Sequence, residues 1–366
     1  MHKLVWLSAC AVLALLVASA AYSEAGKPEF SNIKSDEHVV FFRTSAWLDE
    51  PAQEWRIPIH GWIYEPEDSV TRMGLFASIL EEKYELVPDE ETEANFARRL
   101  NLLIADNERG KQIVINIAGQ TFVLPKSTPD GHFKTTLKIP VDDAEPFTRN
   151  SKIGFSAVVE DDEPRHFAGE VLLVEPTGLS IISDIDDTVK ISEVTARKAL
   201  LERTFLLDFA AAPGMAALYD SWSGENTSFH FVSSSPWQLY LPLIEFLDDQ
   251  KFPHADLNLK PVRFRDESLF DLFKKGTETK PQVIEDILAA YPGRRFILVG
   301  DSGEQDPEVY ADIYRKHPEQ ILKIYIRNVS GESVDNERFT DVFAGIDRSC
   351  WTLFDHPAEL PRDVIE

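Results

Sequence analysis

Asp184, Asp186 and Asp187 occupy three of four consecutive positions in the stretch Gly178 to Ser192, directly after a short apolar run, Leu179 to Ile182. Carboxylates so close repel one another unless a cation or another acceptor of their charge sits among them. Alternation along an extended chain places Asp184, Asp186 and Thr188 on one side and Ile185 on the other. A carboxylate at such a place can attack phosphorus, which gives Asp184 the part of nucleophile and an aspartyl-phosphate as intermediate. Asp186 is placed to protonate a leaving alkoxide and then to take a proton from the hydrolytic water. Thr188 is read as restraining the loop beside the substrate, or as an ordinary turn hydroxyl.

The rest of the chain supplies matching parts in order. Ser233 and Ser234 follow the apolar run Phe229 to Val232, where hydroxyls and loop amides can hold phosphate oxygens. Ser235-Pro236 reads as an N-cap and a favoured first helical residue, an anion-friendly helix start. Lys280, between Thr279 and Pro281, stands at another helix start, against the helix dipole. That placement assigns it to neutralising phosphate and Asp184, with Lys274 and Lys275 as rivals on a solvated stretch. Asp301 ends a further apolar strand within Gly-Asp-Ser-Gly, residues 300 to 303. Clustered acids suit a hard Mg²⁺ ion, expected on Asp184, Asp186 and Asp301, that polarises the phosphoryl group. Asp306 either supports that cluster or caps its own helix. Chymotrypsin-like proteases share Gly-Asp-Ser-Gly, but here it continues into Glu304-Gln305 without a suitable upstream histidine. The nine histidines show no metal-ligand spacing, and His230 reads as a packed strand residue.

Two kinds of element must hold these groups. From about Glu29 to Pro176 the signals are mainly β. Strand candidates are Val39 to Arg43, Trp55 to Tyr64, Gln112 to Leu124, Phe133 to Ile139, Ile153 to Val159 and Phe167 to Val174. Thr92 to Ala105 interrupts them as a helix, with Phe96, Leu100 and Leu103 on one stripe. A sandwich-like, mostly-β domain with a helical insertion is expected over residues 28 to 176. From Gly178 strands and helices alternate, the signature of an α/β fold with a parallel sheet, expected over residues 177 to 350 with a tail from 351 to 366. The helix from Trp237 to Asp249 is expected to kink at Pro242. Ligands of open α/β sheets sit beyond the C-terminal strand ends, where Asp184, Ser233 and Asp301 all fall.

Composition narrows the partners. The chain has 366 residues, a formal net charge of -25 and a pI near 4.7, which argues against nucleic acid and requires a local cation for any phosphate chemistry. Leu4 to Ala21 is uncharged and mostly apolar, and Ala18-Ser19-Ala20 offers a cleavage pattern. A signal peptide over residues 1 to 20 and an exported, periplasmic or secreted protein are expected, with an uncleaved N-terminal membrane anchor as the alternative. Cys350 is the only cysteine beyond that leader, so the mature chain has no internal disulfide.

Asp-Ile-Asp-Asp-Thr, Val-Ser-Ser-Ser-Pro-Trp, Lys280 and Gly-Asp-Ser-Gly-Glu-Gln-Asp-Pro-Glu resemble, in sequence order, the four motifs of the haloacid dehalogenase superfamily. More narrowly, with Arg197 to Leu200, Pro213 to Met215 and Ile324 to Arg327, they resemble the actin-patch-type phosphatidate phosphatases, relatives of the lipins. The resemblance implies Mg²⁺-dependent removal of phosphate from phosphatidate, leaving diacylglycerol. It also implies Asp184 as nucleophile, Asp186 as acid and base, Ser233 and Lys280 as phosphate ligands and Asp301 as a metal ligand. Some lipin relatives bind phosphatidate without turnover after losing catalytic acids; here both Asp184 and Asp186 stand. The exported N-terminus departs from the cytosolic members.

Only residues between Thr188 and Phe229, and between Pro236 and Lys280, can cover the site, and neither stretch holds a full extra domain. An open site favours a phospholipid headgroup presented at a membrane surface. Thr204 to Leu207 with Phe209 form an apolar patch near the first motif, read as touching lipid or as core helix packing.

Overall fold

The computed structural model describes residues 28–66, 70–261 and 279–364. The expected leader, Lys274 and Lys275 lie outside the described residues.

The first half carries β1 (His38–Phe41), β2 (Thr44–Asp49), β3 (Glu54–Glu65), β4 (Asp106–Asn107), β5 (Val114–Ile117), β6 (Gln120–Val123), β7 (His132–Pro140), β8 (Thr148–Arg149), β9 (Lys152–Ala157) and β10 (Ala168–Val174). Long β3 is the organiser: β1 and β2 pair with it in succession, and β7 pairs antiparallel along nine of its residues. Inward Ile57, Ile59, Phe133, Ile139, Ile153, Phe155 and Val171 form the core of this sheet. Gln112 to Leu124, expected as one run, folds back as the β5–β6 hairpin. Ala118 and Gly119 both take positive φ, at 50° and 69°, as a tight hairpin turn demands.

Helices α1 (Val70–Tyr84) and α2 (Glu93–Ile104) leave that sheet and join a different core. Leu80, Leu86, Phe96 and Leu100 share one apolar cluster with Phe205, Trp237 and Tyr240 of the second half. α1 had no counterpart among the sequence expectations. The first half also holds α3 (Val141–Ala144), a single turn.

The second half is a six-stranded sheet of β11 (Gly178–Ser183), β12 (Thr227–Pro236), β13 (Ala255–Lys260), β14 (Arg294–Asp301), β15 (Ile321–Arg327) and β16 (Trp351–Phe354). Its order is β13-β12-β11-β14-β15-β16, with every neighbouring pair parallel. The strands read as nearly continuous apolar runs because both faces are covered. Ile181, Phe231 and Val299 enter one cluster, and Ile182, Val232 and Leu298 enter the other. α4 (Arg197–Phe205), α5 (Met215–Trp222), α6 (Tyr240–Asp249), α7 (Lys280–Ala290), α8 (Asp306–Lys316) and α9 (Glu337–Val342) fill the crossovers.

Three expectations change, and one open alternative is decided. The supposed tail opens with β16, which pairs with β15 and buries Trp351 and Phe354, so it completes the sheet. Pro236 closes strand β12, and a 3₁₀ turn, Trp237–Leu239, follows it; Ser235 therefore caps no helix. Pro242 falls in the first turn of α6, where no backbone donor is lost and no kink is required. Phe205 is fully buried and Thr204 and Leu206 nearly so, leaving Leu207 as the exposed member of the patch read as touching lipid. Core packing claims that segment.

Candidate active site

At the C-terminal end of β11 the chain enters a tight turn. Thr188, Val189 and Lys190 all return their amides to Ile185 O, and Asp187 takes a positive φ of 54°. The Asp187 carboxylate holds the turn closed by accepting from the amides of Ser192, Glu193 and Val194 at 2.7–2.8 Å. The third acid of the motif is therefore a structural acceptor. Asp184 and Asp186 leave this turn in different directions.

Asp184 is completely buried. Its amide bonds to Val299 O of β14, and its Oδ1 accepts from Lys280 Nζ at 2.8 Å. Lys280, the first residue of α7, also donates to Asp306 Oδ1 at 2.5 Å, and Glu304 lies 3.7 Å away. Asp301, the last residue of β14, accepts the amides of Gly303 and Glu304 on Oδ1, at 2.6 and 3.1 Å. Its own amide donates to Asp306 Oδ2 at 3.2 Å. A Cβ on Gly300 would stand 2.3 Å from that same Oδ2, so only glycine lets Asp306 approach the strand end.

One ammonium thus faces several buried carboxyls. Burial pushes Asp184 well above the usual carboxylate range; Lys280 opposes the shift, while Asp306, Asp301 and Glu304 add to it. Asp301 is raised likewise, by burial first and then by Asp306 and Glu304. For Lys280, burial works to lower the pKa, but Asp184 and Asp306 hold it well above its ordinary value.

Asp186 has the opposite surroundings. Its Oδ1 accepts from Ser192 Oγ at 2.7 Å and lies 2.7 Å from Lys190 Nζ. Its Oδ2 accepts from Ser233 Oγ at 3.0 Å and Ser235 Oγ at 2.9 Å. Burial works to raise this carboxyl, yet Lys190 and the bonds from Ser192 and Ser235 hold it below the usual range. Lys190 is itself fixed over the Phe209 ring, 4.9 Å from its centroid.

The structure therefore brings Asp184, Lys280 and Asp301 together and gathers Ser233 around Asp186. Thr188 is buried in the same turn, and Ser234 lies half-buried beside Ser233. Asp184, Asp301 and Asp306 each offer an oxygen, all within 4.8 Å of one another. Asp186, expected among the ligand carboxylates, lies outside this trio, its two oxygens bonded to Ser192, Lys190, Ser233 and Ser235, and Asp306 stands in the trio instead. The sequence pattern assigns no site role to Glu304, Lys190 or Ser192, and Ser235, expected to cap an anion-friendly helix start, bonds to Asp186 instead. Ser192 and Lys190 stood within the motif stretch, but nothing in their spacing says they turn back onto Asp186.

Asp184 Oδ2 and Asp301 Oδ2 are buried without a hydrogen-bond partner, as is Thr188 Oγ1. Buried carboxylate oxygens are costly unless paired or bound to a cation. An all-oxygen set with excess negative charge is the donor chemistry a hard divalent ion takes. The residues fit Mg²⁺.

Fold and site together define a parallel-sheet α/β protein with a carboxylate–lysine centre at the strand ends. Residues 179–328 match the family described as phosphatidate phosphatase APP1, catalytic domain. An uncharacterized protein of Schizosaccharomyces pombe is 31% identical over 202 residues, 52% of this chain and 33% of its own length. The phosphatidate phosphatase APP1 of Saccharomyces cerevisiae is 34% identical over 166 residues, 44% of this chain and 28% of its own length. The chain thus spans a third or less of the curated relatives it matches. A crystal structure titled putative beta-phosphoglucomutase, from Thermotoga maritima, aligns over 50% of this chain and 96% of its own, with 13% identity. The TM-score of that alignment is 0.30.

Proposed function

We propose that this protein is a Mg²⁺-dependent phosphatase that converts phosphatidate to diacylglycerol and phosphate. The observation that carries the reading is Asp184. It is buried at a parallel-strand end and held on one oxygen by Lys280, with the other oxygen unpartnered, inside the segment of the family match.

Asp184 Oδ2 is the nucleophile: it forms a bond to phosphorus as the bond from phosphorus to the diacylglycerol oxygen breaks. Asp186 gives the leaving oxygen its proton and, in the second half, takes one from the water that releases phosphate from Asp184. The resting carboxylate of Asp186 suits the second half directly; for the first it must collect a proton. A phosphomonoester with its second pKa near 6 can bring one at mildly acidic pH. Lys280 fixes Asp184 and offsets charge on the phosphoryl oxygens, with Thr188, Ser233 and Ser234 beside them. Asp184, Asp301 and Asp306 would hold Mg²⁺, which when bound polarises the phosphoryl group and offsets the clustered acids.

Supporting this reading of the surroundings, the stretch between Thr188 and Phe229 contributes α4 and α5, and Phe205 and Trp222 seat them in the core. Among the described residues no domain-sized cover stands over the site, which suits a headgroup presented at a membrane surface. Among the described residues no helix is long and apolar enough to cross a membrane. We read residues 177–350, extended through β16, as a haloacid-dehalogenase-like domain, residues 28–176 as a sandwich-like domain, and the leader as an export signal.

Phosphate release from phosphatidate vesicles tests the proposal. Release that stops with EDTA and returns with Mg²⁺ supports it. Binding without turnover would point to a phosphatidate sensor, and turnover confined to other phosphomonoesters would keep the chemistry and replace the substrate.

A further inference from the structure

The geometry points to Arg338 as a positioning residue that holds the Asp301 loop in shape for a divalent cation. Arg338 lies beyond the 179–328 segment of the family match, on the short helix α9. The inference shares with the proposed function only the cation at Asp184 and Asp301.

Asn336 caps α9 by accepting the Arg338 amide at 2.9 Å, which fixes where the side chain leaves the backbone. The guanidinium then reaches the loop between β14 and α8. Nε donates to Glu308 Oε1 at 2.8 Å and Nη2 to Glu308 Oε2 at 3.0 Å, a two-point clasp on α8. Nη1 donates to Ser302 O at 2.6 Å and Nη2 to Glu304 O at 2.5 Å. One planar group thus binds two carbonyls of the four-residue connection that carries Asp301 into Asp306.

Those carbonyls matter because a peptide unit is rigid. Ser302 O and the Gly303 amide belong to the same plane and point in opposite directions. Fixing Ser302 O on Arg338 aims the Gly303 amide at Asp301 Oδ1, 2.6 Å away. Holding Glu304 O restrains Glu304 itself, whose own amide is the second donor to Asp301 Oδ1, at 3.1 Å. With Oδ1 occupied in this way, the buried Oδ2 of Asp301 is the oxygen left without a hydrogen-bond partner, in a residue that has an oxygen within 4.8 Å of Asp184 and Asp306. Glycine at 303 would otherwise leave this turn with wide backbone freedom. Ser302 is anchored independently, its Oγ accepting the amides of Val329 and Ser330, so the loop stays folded when Arg338 is changed and only its inner peptides are released. A lysine keeps the charge but cannot form the fork.

The test is Mg²⁺ titration calorimetry on the full chain without substrate, alongside thermal unfolding of the cation-free protein. Arg338→Lys should weaken Mg²⁺ binding about tenfold or more, the scale seen when a residue supporting a metal ligand is lost. Glu308→Gln, which loosens the clasp while leaving the fork on the carbonyls, should weaken it less. Asp341→Asn, exposed on the same helix, should leave affinity unchanged. Unchanged affinity in both Arg338→Lys and Glu308→Gln overturns the inference even if unfolding temperatures fall, and so does a native chain that takes up no Mg²⁺. If Arg338→Lys fails to fold, Glu308→Gln decides alone. A chain that binds Mg²⁺ as expected yet releases no phosphate refutes the proposed function and leaves this inference standing.

Discussion

Two carboxylates on one turn, two residues apart, have opposite surroundings. Asp184 shares its pocket with Asp301, Asp306 and Glu304 and has one ammonium for company. Asp186 has a lysine and three serine hydroxyls to itself. Both are buried, so burial alone does not separate them; their neighbours do. Surroundings that push like groups in opposite directions are how one site assigns them different tasks. In the proposed mechanism the oxygen left bare on Asp184 is the one that attacks. In the same proposal Asp186, with both oxygens hydrogen-bonded, handles the protons.

The comparison can be broken or sharpened by experiment, beginning with the largest effect. Asp184→Asn should reduce phosphate release on the order of 10⁴–10⁶-fold while phosphatidate vesicles still bind, because the covalent step has no substitute. A residual rate within tenfold of the native chain would remove Asp184 from the role. Asp186→Asn should cost about 10²–10⁴-fold, the range of a lost general acid and base. Chasing labelled phosphate from Asp186→Asn should show slower release of an enzyme-bound phosphoryl group, and equal losses in both variants with no trapped phosphate would erase the distinction.

Lys280→Met attacks the charge side of the comparison. It removes the ammonium from among buried carboxyls, and breaking a buried pair in this way costs about 3–5 kcal/mol. Urea unfolding in EDTA should show that loss, and Mg²⁺ should return part of it. A variant as stable as the native chain in EDTA would mean that the acids are already uncharged.

The smallest effect isolates burial from neighbouring charge. His60 and His132 share a 3.0 Å hydrogen bond under Trp237 and Phe42. Burial, with Asp130 opposing, lowers His132 from 6.5 to about 4, and burial followed by His132 lowers His60 well below 6.5. A depressed folded-state pKa means the unfolded chain takes up protons first as pH falls. The stability it contributes is complete above pH 6.5 and disappears as pH drops toward 4, by at most about 3 kcal/mol for His132. His132→Gln should flatten the fall in unfolding free energy over that window; an unchanged slope would remove the pair from the acid response.

Much of the second half was legible because its physics is local. Apolar runs such as Ile297 to Val299 end in an acid, and Pro281 and Pro307 sit in the first turns of α7 and α8, so strand ends and helix starts could be placed. Asp184, Asp301 and Lys280 followed from those ends. What escaped depends on contacts distant in the chain. Ser235 looked like a cap because Pro236 follows it, but the strand runs on and its hydroxyl crosses to Asp186, 49 positions away. The Phe205 patch could not be told from a surface patch, since the α1 and α2 residues that cover it come from the first half. β16 went unrecognised because four residues, Trp351–Phe354, carry too little pattern to distinguish an edge strand from a tail.

The apolar cluster that unites Phe42, Trp62 and Phe96 with Phe205, Trp237 and Tyr240 also bears on how the chain can be divided. A cut near residue 176 would separate the two backbone sheets neatly and still tear an aromatic seam in two, leaving both pieces with oily, unmatched faces. The upstream half is, in this sense, scaffolding for the turn that bears Asp184.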